Sequence, residues 1–184
     1  VAKQQARYDE AEALYKRALE LAEKTSGPNS LAVALVLNNL TKVYEEQNRF
    51  SEVEAAGKRA LEIRERELGP NHPEVAVSLN NLAHVYERLG RYAQADELFQ
   101  RAIEIWEKKL GPNHPYLATA LLNLASVYAD EERLDEAEAL YKRALRIREG
   151  VFGPNHLEVA TLLNNLAQIY ETQGRYDDVE NFSK

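Results

Sequence analysis

The chain has 184 residues, 45% of them hydrophobic and 29% charged, with a formal net charge of -7 and no cysteine. That balance supplies enough apolar material for a continuous core and excludes a disordered chain, a disulfide framework and a thiolate metal site. An acidic chain without Lys/Arg clusters is a poor match for nucleic acid, no apolar run approaches the roughly 18 residues of a membrane span, and no leader precedes the first repeat, so a cytoplasmic protein without nucleic-acid or membrane partners is expected.

Taken in chain order, residues 1–26 carry one helical pattern, read as the second helix of a truncated repeat. Gly-Pro-Asn then occurs at Gly27, Gly69, Gly111 and Gly153, each 42 residues after the last. The same register aligns Leu37, Leu79, Leu121 and Leu163, then Leu40, Leu82, Leu124 and Leu166, then Tyr44, Tyr86, Tyr128 and Tyr170. Offsets of three and seven define one face of a helix. Repeats are therefore placed at 27–68, 69–110 and 111–152, with a truncated repeat at 153–184.

Within a repeat, Ala76, Leu79, Leu82, Ala83 and Tyr86 form the stripe of a first helix, and Ala95, Leu98, Phe99, Ala102, Ile103 and Leu110 that of a second. Gly90 and Gly174 permit the left-handed residue that ends the first helix, whereas Asn48 and Glu132 stand at the equivalent positions in less relaxed turns. Asn71 or His72, followed by Pro73, opens the next repeat with a capping residue and an early-turn proline. Val43, Val85, Val127 and Ile169 lie off the hairpin stripe and are expected to reach the adjoining repeat. Ala18, Ala60, Ala102 and Ala144 recur where paired helices approach most closely. Since such a hairpin cannot bury its apolar faces alone, neighbours must stack. The expected fold is all-α, an α-solenoid of stacked antiparallel helical hairpins with about 8–9 helices, the last a weak helix within 176–184 that frays or pairs with a neighbouring molecule. The chain is expected to begin and end inside a larger array or at a degenerate cap.

Leu79-Asn-Asn-Leu-Ala through Tyr86, Gly90-Arg-Tyr, Ala95, Phe99, Ala102 and Gly69-Pro-Asn-His-Pro resemble the tetratricopeptide repeat, in particular its kinesin light chain-like branch, over nearly the whole chain. Thr41, Gly57, Val53 and Val179 depart from the pattern. The resemblance implies a right-handed superhelix whose first helices line the inner wall. On that wall, Leu35, Asn38, Asn39, Lys42, Val77, Asn80, Asn81, His84, Arg88, Tyr116, Thr119, Asn123, Ser126, Asn164, Asn165 and Gln168 are the candidate peptide-binding residues. One column is asparagine in every repeat: Asn39, Asn81, Asn123 and Asn165. A side-chain amide donates and accepts at once, so this column either grips the backbone of an extended peptide, as the resemblance implies, or bridges adjacent helices as a ladder. Some relatives clamp a terminal carboxylate with cations in the column that here holds Leu35, Val77, Thr119 and Thr161, which cannot do so. Lys42 and Arg88 are offset by Glu46, Glu74, Asp130 and Glu158, which disfavours a strongly acidic ligand.

Other patterns point to structure. His72, His114 and His156 recur one repeat apart, too far to share a metal, and read as loop residues. His84 reads as a contact residue, since no orienting carboxylate can be placed from sequence. Trp106, standing where other repeats have Arg64 and Arg148, is expected at the core's edge with one ring edge wet, the alternative being a contact on the convex face. Glu62–Glu67 reads as a solvated helix face. Asn39-Leu-Thr41 and Asn181-Phe-Ser183 match the glycosylation sequon without a secretory context. The sequence offers no catalytic, cofactor or metal constellation, so the expected role is a protein-interaction scaffold holding a peptide or partner segment, the alternative being a structural spacer or an element that self-associates through incomplete terminal repeats, of natural or engineered origin.

Overall fold

The computed structural model describes the backbone of residues 2–175 and side chains from residue 7 onward; the C-terminal helix expected within 176–184, with Val179 and the Asn181 sequon, lies outside the described residues. Among the described residues there are eight helices: α1 (Ala2–Ser26), α2 (Leu31–Glu46), α3 (Phe50–Leu68), α4 (Pro73–Arg88), α5 (Tyr92–Leu110), α6 (Pro115–Asp130), α7 (Leu134–Phe152) and α8 (Leu157–Thr172). None is long and apolar enough to cross a membrane. They fall into two compact units, residues 1–90 and 91–184. In the first, α2 packs on α1 and α3, and α3 on α4; in the second, α6 packs on α5 and α7, and α7 on α8.

The helix starts and stops follow from the sequence. His72, His114 and His156 each cap a first helix, Nδ1 accepting from the backbone N–H two residues on at 3.2–3.3 Å, with Ser30 doing the same work for α2. Pro73 and Pro115 then occupy the first turn, where no N–H is needed. First helices end in a left-handed residue followed by an arginine. In α2, Asn48 N–H donates to the Glu45 carbonyl and Arg49 N–H to the Tyr44 carbonyl, at 2.9 and 2.8 Å, the paired bonds of a Schellman motif. Asn48 and Glu132 hold φ values of 56° and 60° there, as their less relaxed turns anticipated.

In the first unit, Val33, Ala34 and Leu37 of α2 meet Ala56, Ala60 and Ile63 of α3, with Leu19 and Ala22 of α1 closing the layer. Val85 of α4 packs with Leu40, Tyr44 and Val53 of the preceding hairpin, which is the contact between repeats expected of that column. Ala60, Ala102 and Ala144 are buried, and Ala18 is half-buried. The aligned leucine and tyrosine columns are buried except for Leu163. Second helices differ from expectation. In α5 the buried set is Ala95, Phe99, Ala102, Ile105 and Trp106, while Leu98, Ile103 and Leu110 are half-buried. The first helix of the next repeat, α6, packs on α5, so the buried face of α5 is turned relative to the stripe read from one hairpin.

Gly111 sits at φ 92°, ψ 165°, a region that only glycine occupies without strain, and a Cβ there would meet nothing within 4 Å. Gly57 is helical, and its added Cβ would lie 3.5 Å from Leu82, an ordinary contact. Gly111→Ala is therefore expected to lose about 1–3 kcal/mol through backbone strain, whereas Gly57→Ala gains about 0.5–1 kcal/mol by restricting the unfolded chain; urea denaturation of both variants measures the two signs.

Candidate functional site

Each first helix leaves one strip uncovered. In α4 the buried residues are Val75, Ala76, Ser78, Leu79, Leu82, Ala83, Val85 and Tyr86, which leaves Glu74, Val77, Asn80, Asn81, His84 and Arg88 along the other side at helical spacing. None of the sixteen candidate residues is buried: Leu35, Lys42, Arg88, Tyr116, Asn164 and Gln168 are exposed, and Asn38, Asn39, Val77, Asn80, Asn81, His84, Thr119, Asn123, Ser126 and Asn165 are half-buried. The apolar members include Leu35 at 58% and Tyr116 at 53% exposure.

The asparagine columns behave differently in the two units. In the first, Asn81 Nδ2 donates to Asn38 Oδ1 at 3.1 Å, an amide bridge from α4 to α2. In the second, the residue equivalent to Asn38 is Leu122, so the same bridge cannot form to α8. Asn165 instead lines a recess of about 470 Å³ between the C-terminal ends of α6 and α8, together with Gln168, Thr172, Tyr141 and Glu132. The Tyr141 hydroxyl in its wall is 3.0 Å from that of Ser126.

His84 has the carboxylates that sequence could not place. Nδ1 lies 2.9 Å from Glu87 and Nε2 3.7 Å from Glu45, and the Glu87 bond raises the imidazole above its ordinary value despite partial burial. Arg88 stacks over Phe50 with 4.8 Å between the guanidinium carbon and the ring centroid, donates to Asn48 Oδ1 at 3.3 Å and lies 3.9 Å from Glu45.

Two polar columns escaped the sequence reading. In the first, an acid of a second helix meets a tyrosine of the next first helix and basic side chains beside it. Tyr170 donates to Glu138 at 3.1 Å, and Lys142 and Arg175 both reach that carboxylate at 2.6 Å. Burial opposes ionisation of Glu138, yet the three donors hold its carboxyl below the ordinary range. Asp96 with Tyr128 and Arg133 and Glu54 with Tyr86 and Lys58 repeat the pattern, and Glu12 keeps its basic half with Arg49 and Lys16. Its signal was present in the sequence as acids at 12, 54, 96 and 138 and arginines at 49, 91, 133 and 175.

The second column corrects two expectations. Arg64 is buried, with Nη1 on the Ser78 hydroxyl and Nε 3.9 Å from Glu74, so Glu62–Glu67 is not wholly a solvated face. Burial lowers its guanidinium's proton affinity, and Glu74 opposes that. Arg148 donates to Thr119 at 2.7 Å and pairs with Glu158 at 3.0 Å. Trp106 takes the same place, 3% exposed and 5.6 Å from the Tyr116 ring, with its Nε1 lacking a hydrogen-bond partner; the wet ring edge is absent because Tyr116 covers it. The repeats thus pair Arg64 with Glu74, Trp106 with Tyr116 and Arg148 with Glu158, always ten residues apart.

The tetratricopeptide repeat family model matches residues 1–66, 54–108, 74–149 and 116–184. The chain is a tetratricopeptide repeat protein. Its fold is that of kinesin light chain-like members. BtubC (BKLC) from P. vanneervenii superposes with a TM-score of 0.88 at 22% identity, covering 98% of this chain and 72% of that one. The Podosopora anserina putative kinesin light chain with nearly identical TPR-like repeats gives 0.80 at 21%, covering 97% and 85%, and a single-substitution form of the same protein gives 0.82 at 21%, covering 97% and 84%. A comparison with curated protein sequences returns no match.

The paired columns predict coupling: Trp106→Arg alone buries a guanidinium beside Tyr116, and adding Tyr116→Glu is expected to recover about 0.5–3 kcal/mol in a double-mutant cycle measured by urea denaturation. For His84, a raised folded value means that its contribution is present below the ordinary value near 6.5 and lost as pH rises through the folded one. His84→Gln should accordingly lower stability relative to the parent more at about pH 6 than at about pH 8.5, read from the difference in urea midpoints.

Proposed function

We propose that this tetratricopeptide repeat protein is a protein-interaction scaffold that holds an extended segment of a partner on the uncovered strips of its first helices. The observation that supports this reading most directly is the contrast between columns. Positions that pack, such as Leu40, Leu82, Leu124 and Leu166, repeat unchanged, while uncovered positions in one register read Lys42, His84, Ser126 and Gln168. Packing needs the same shape in every layer, whereas recognition of a non-repeating partner needs different side chains along its length. Asn165 and Gln168 would then bind backbone amides, and Leu35, Val77 and Tyr116 would take apolar side chains. The ligand suited to these strips is of mixed or partly apolar character.

Asn81 is already bonded within the molecule, so its role includes joining adjacent helices, as in the ladder reading. A second reading, self-association, has support in the uncovered Leu14 and Leu21 of α1, 61% and 54% exposed; sedimentation that shifts to a larger species with concentration, with no peptide affinity, would favour it.

The test is a selection from a random peptide library, followed by affinity measurement against the parent and a Leu35→Ala, Gln168→Ala variant whose helix content is checked by circular dichroism. Selected peptides are expected to lose about 1–3 kcal/mol of binding in the variant. An empty selection, or affinities that the substitutions leave unchanged, would sink the reading.

A further inference from the structure

The recess between α6 and α8 has a counterpart in the first unit, and there the molecule fills it with its own side chain. Two repeats earlier, the residues matching Ala129, Glu132, Leu134, Gln168 and Thr172 are Glu45, Asn48, Phe50, His84 and Arg88. Arg88 lays its guanidinium over Phe50 and reaches Asn48 and Glu45. In the second unit a threonine stands in place of that arginine and an alanine in place of Glu45. What is left is an open space of about 470 Å³ with a carboxylate, Glu132, where Asn48 would be.

From this equivalence we infer that the recess binds the arginine side chain of a partner's extended segment, with the guanidinium at Glu132 in the place that Arg88 takes in the first unit. The inference rests on the proposed partner-binding role and names the residue type that this part of the face selects. A guanidinium presents five donors in a plane. Glu132 and the amide oxygens of Asn165 and Gln168 are acceptors, and Leu134 and Ile169 offer apolar surface to the side-chain stem. An apolar residue would desolvate those polar groups without bonding them. An acidic one would meet Glu132, with Asp130 on the adjoining turn. Lysine lacks the planar fork. Arg133, the cation nearest in sequence, is held on the other side by Glu136 at 2.6 Å and Glu131 at 3.2 Å, and stacks on Tyr128.

The experiment titrates the ¹⁵N-labelled chain with short capped Gly/Ser/Ala peptides carrying one central arginine, lysine, citrulline or glutamate, and follows the side-chain amide signals of Asn165 and Gln168. The arginine peptide is expected to shift both signals and to bind about tenfold tighter than the citrulline peptide, which has the same shape without the charge. Thr172→Arg, which supplies the chain's own guanidinium, should abolish the shifts. Glu132→Gln should weaken binding about tenfold. Glu132→Gly should weaken it as well while relieving the positive φ at that residue, so its loss cannot come from unfolding. Equal binding of arginine and citrulline peptides at the recess, or arginine shifts that survive Thr172→Arg, would overturn the inference and leave the wider partner-binding reading standing. Shifts of no signal by any of the peptides, together with an empty library selection, would overturn both.

Discussion

A helical hairpin of the kind built here has apolar residues on more than one side of each helix, and its own partner covers only part of them. The remainder must be buried against the next hairpin, as when Val85 of α4 closes over Leu40, Tyr44 and Val53 of the preceding pair. Burying a side chain of that size is worth about 1.5–3 kcal/mol, so no repeat is stable by itself and each layer's stability is shared with its neighbours. This sharing fixes the identity of the packing columns and frees the strip of each first helix that no neighbour covers. The candidate binding face is what that geometry leaves over.

Polar side chains join the layers as well. In the second unit the acid of a second helix, the tyrosine of the next first helix and the arginine that follows its Schellman turn meet twice, at Asp96 and at Glu138, and the carboxylate is largely covered. Exposed ion pairs contribute little, but a partly buried carboxylate with three donors, such as Glu138, cannot lose one of them cheaply. The cluster therefore specifies which helix faces which, in addition to the apolar contacts. The Arg64 and Glu74 pair and its aromatic replacement, Trp106 with Tyr116, do similar work at the other end of the first helices, where two unlike chemistries satisfy the same spacing of ten residues.

At the candidate face, small sequence differences between equivalent repeats have large local effects. Asn38 makes the Asn81 amide part of the frame, and Leu122 in the equivalent place leaves Asn165 to line the recess. Arg88 fills a space that Thr172 leaves open. The same backbone can thus be closed by its own side chains in one unit and accessible in another, which lets a repetitive scaffold present a non-repetitive surface.

The 42-residue period, the two helices in each repeat, the left-handed turns at Asn48 and Glu132 and the leucine and tyrosine columns were all legible in the sequence, because each depends on neighbours a few residues away or on a register that simple counting recovers. The same counting marked the uncovered strips, since the side of a helix opposite its apolar stripe follows from the 3.6-residue turn. What tertiary structure alone decided is how side chains pair between helices: that Arg64 is buried, that Trp106 is covered by Tyr116, that Glu45 of α2 stands at His84 opposite Glu87 of its own helix, and that one asparagine of the column bridges while another faces open space. Those outcomes depend on which residue stands opposite across a helix interface, up to about forty residues away in the chain, and periodicity within a single helix carries no information about that partner.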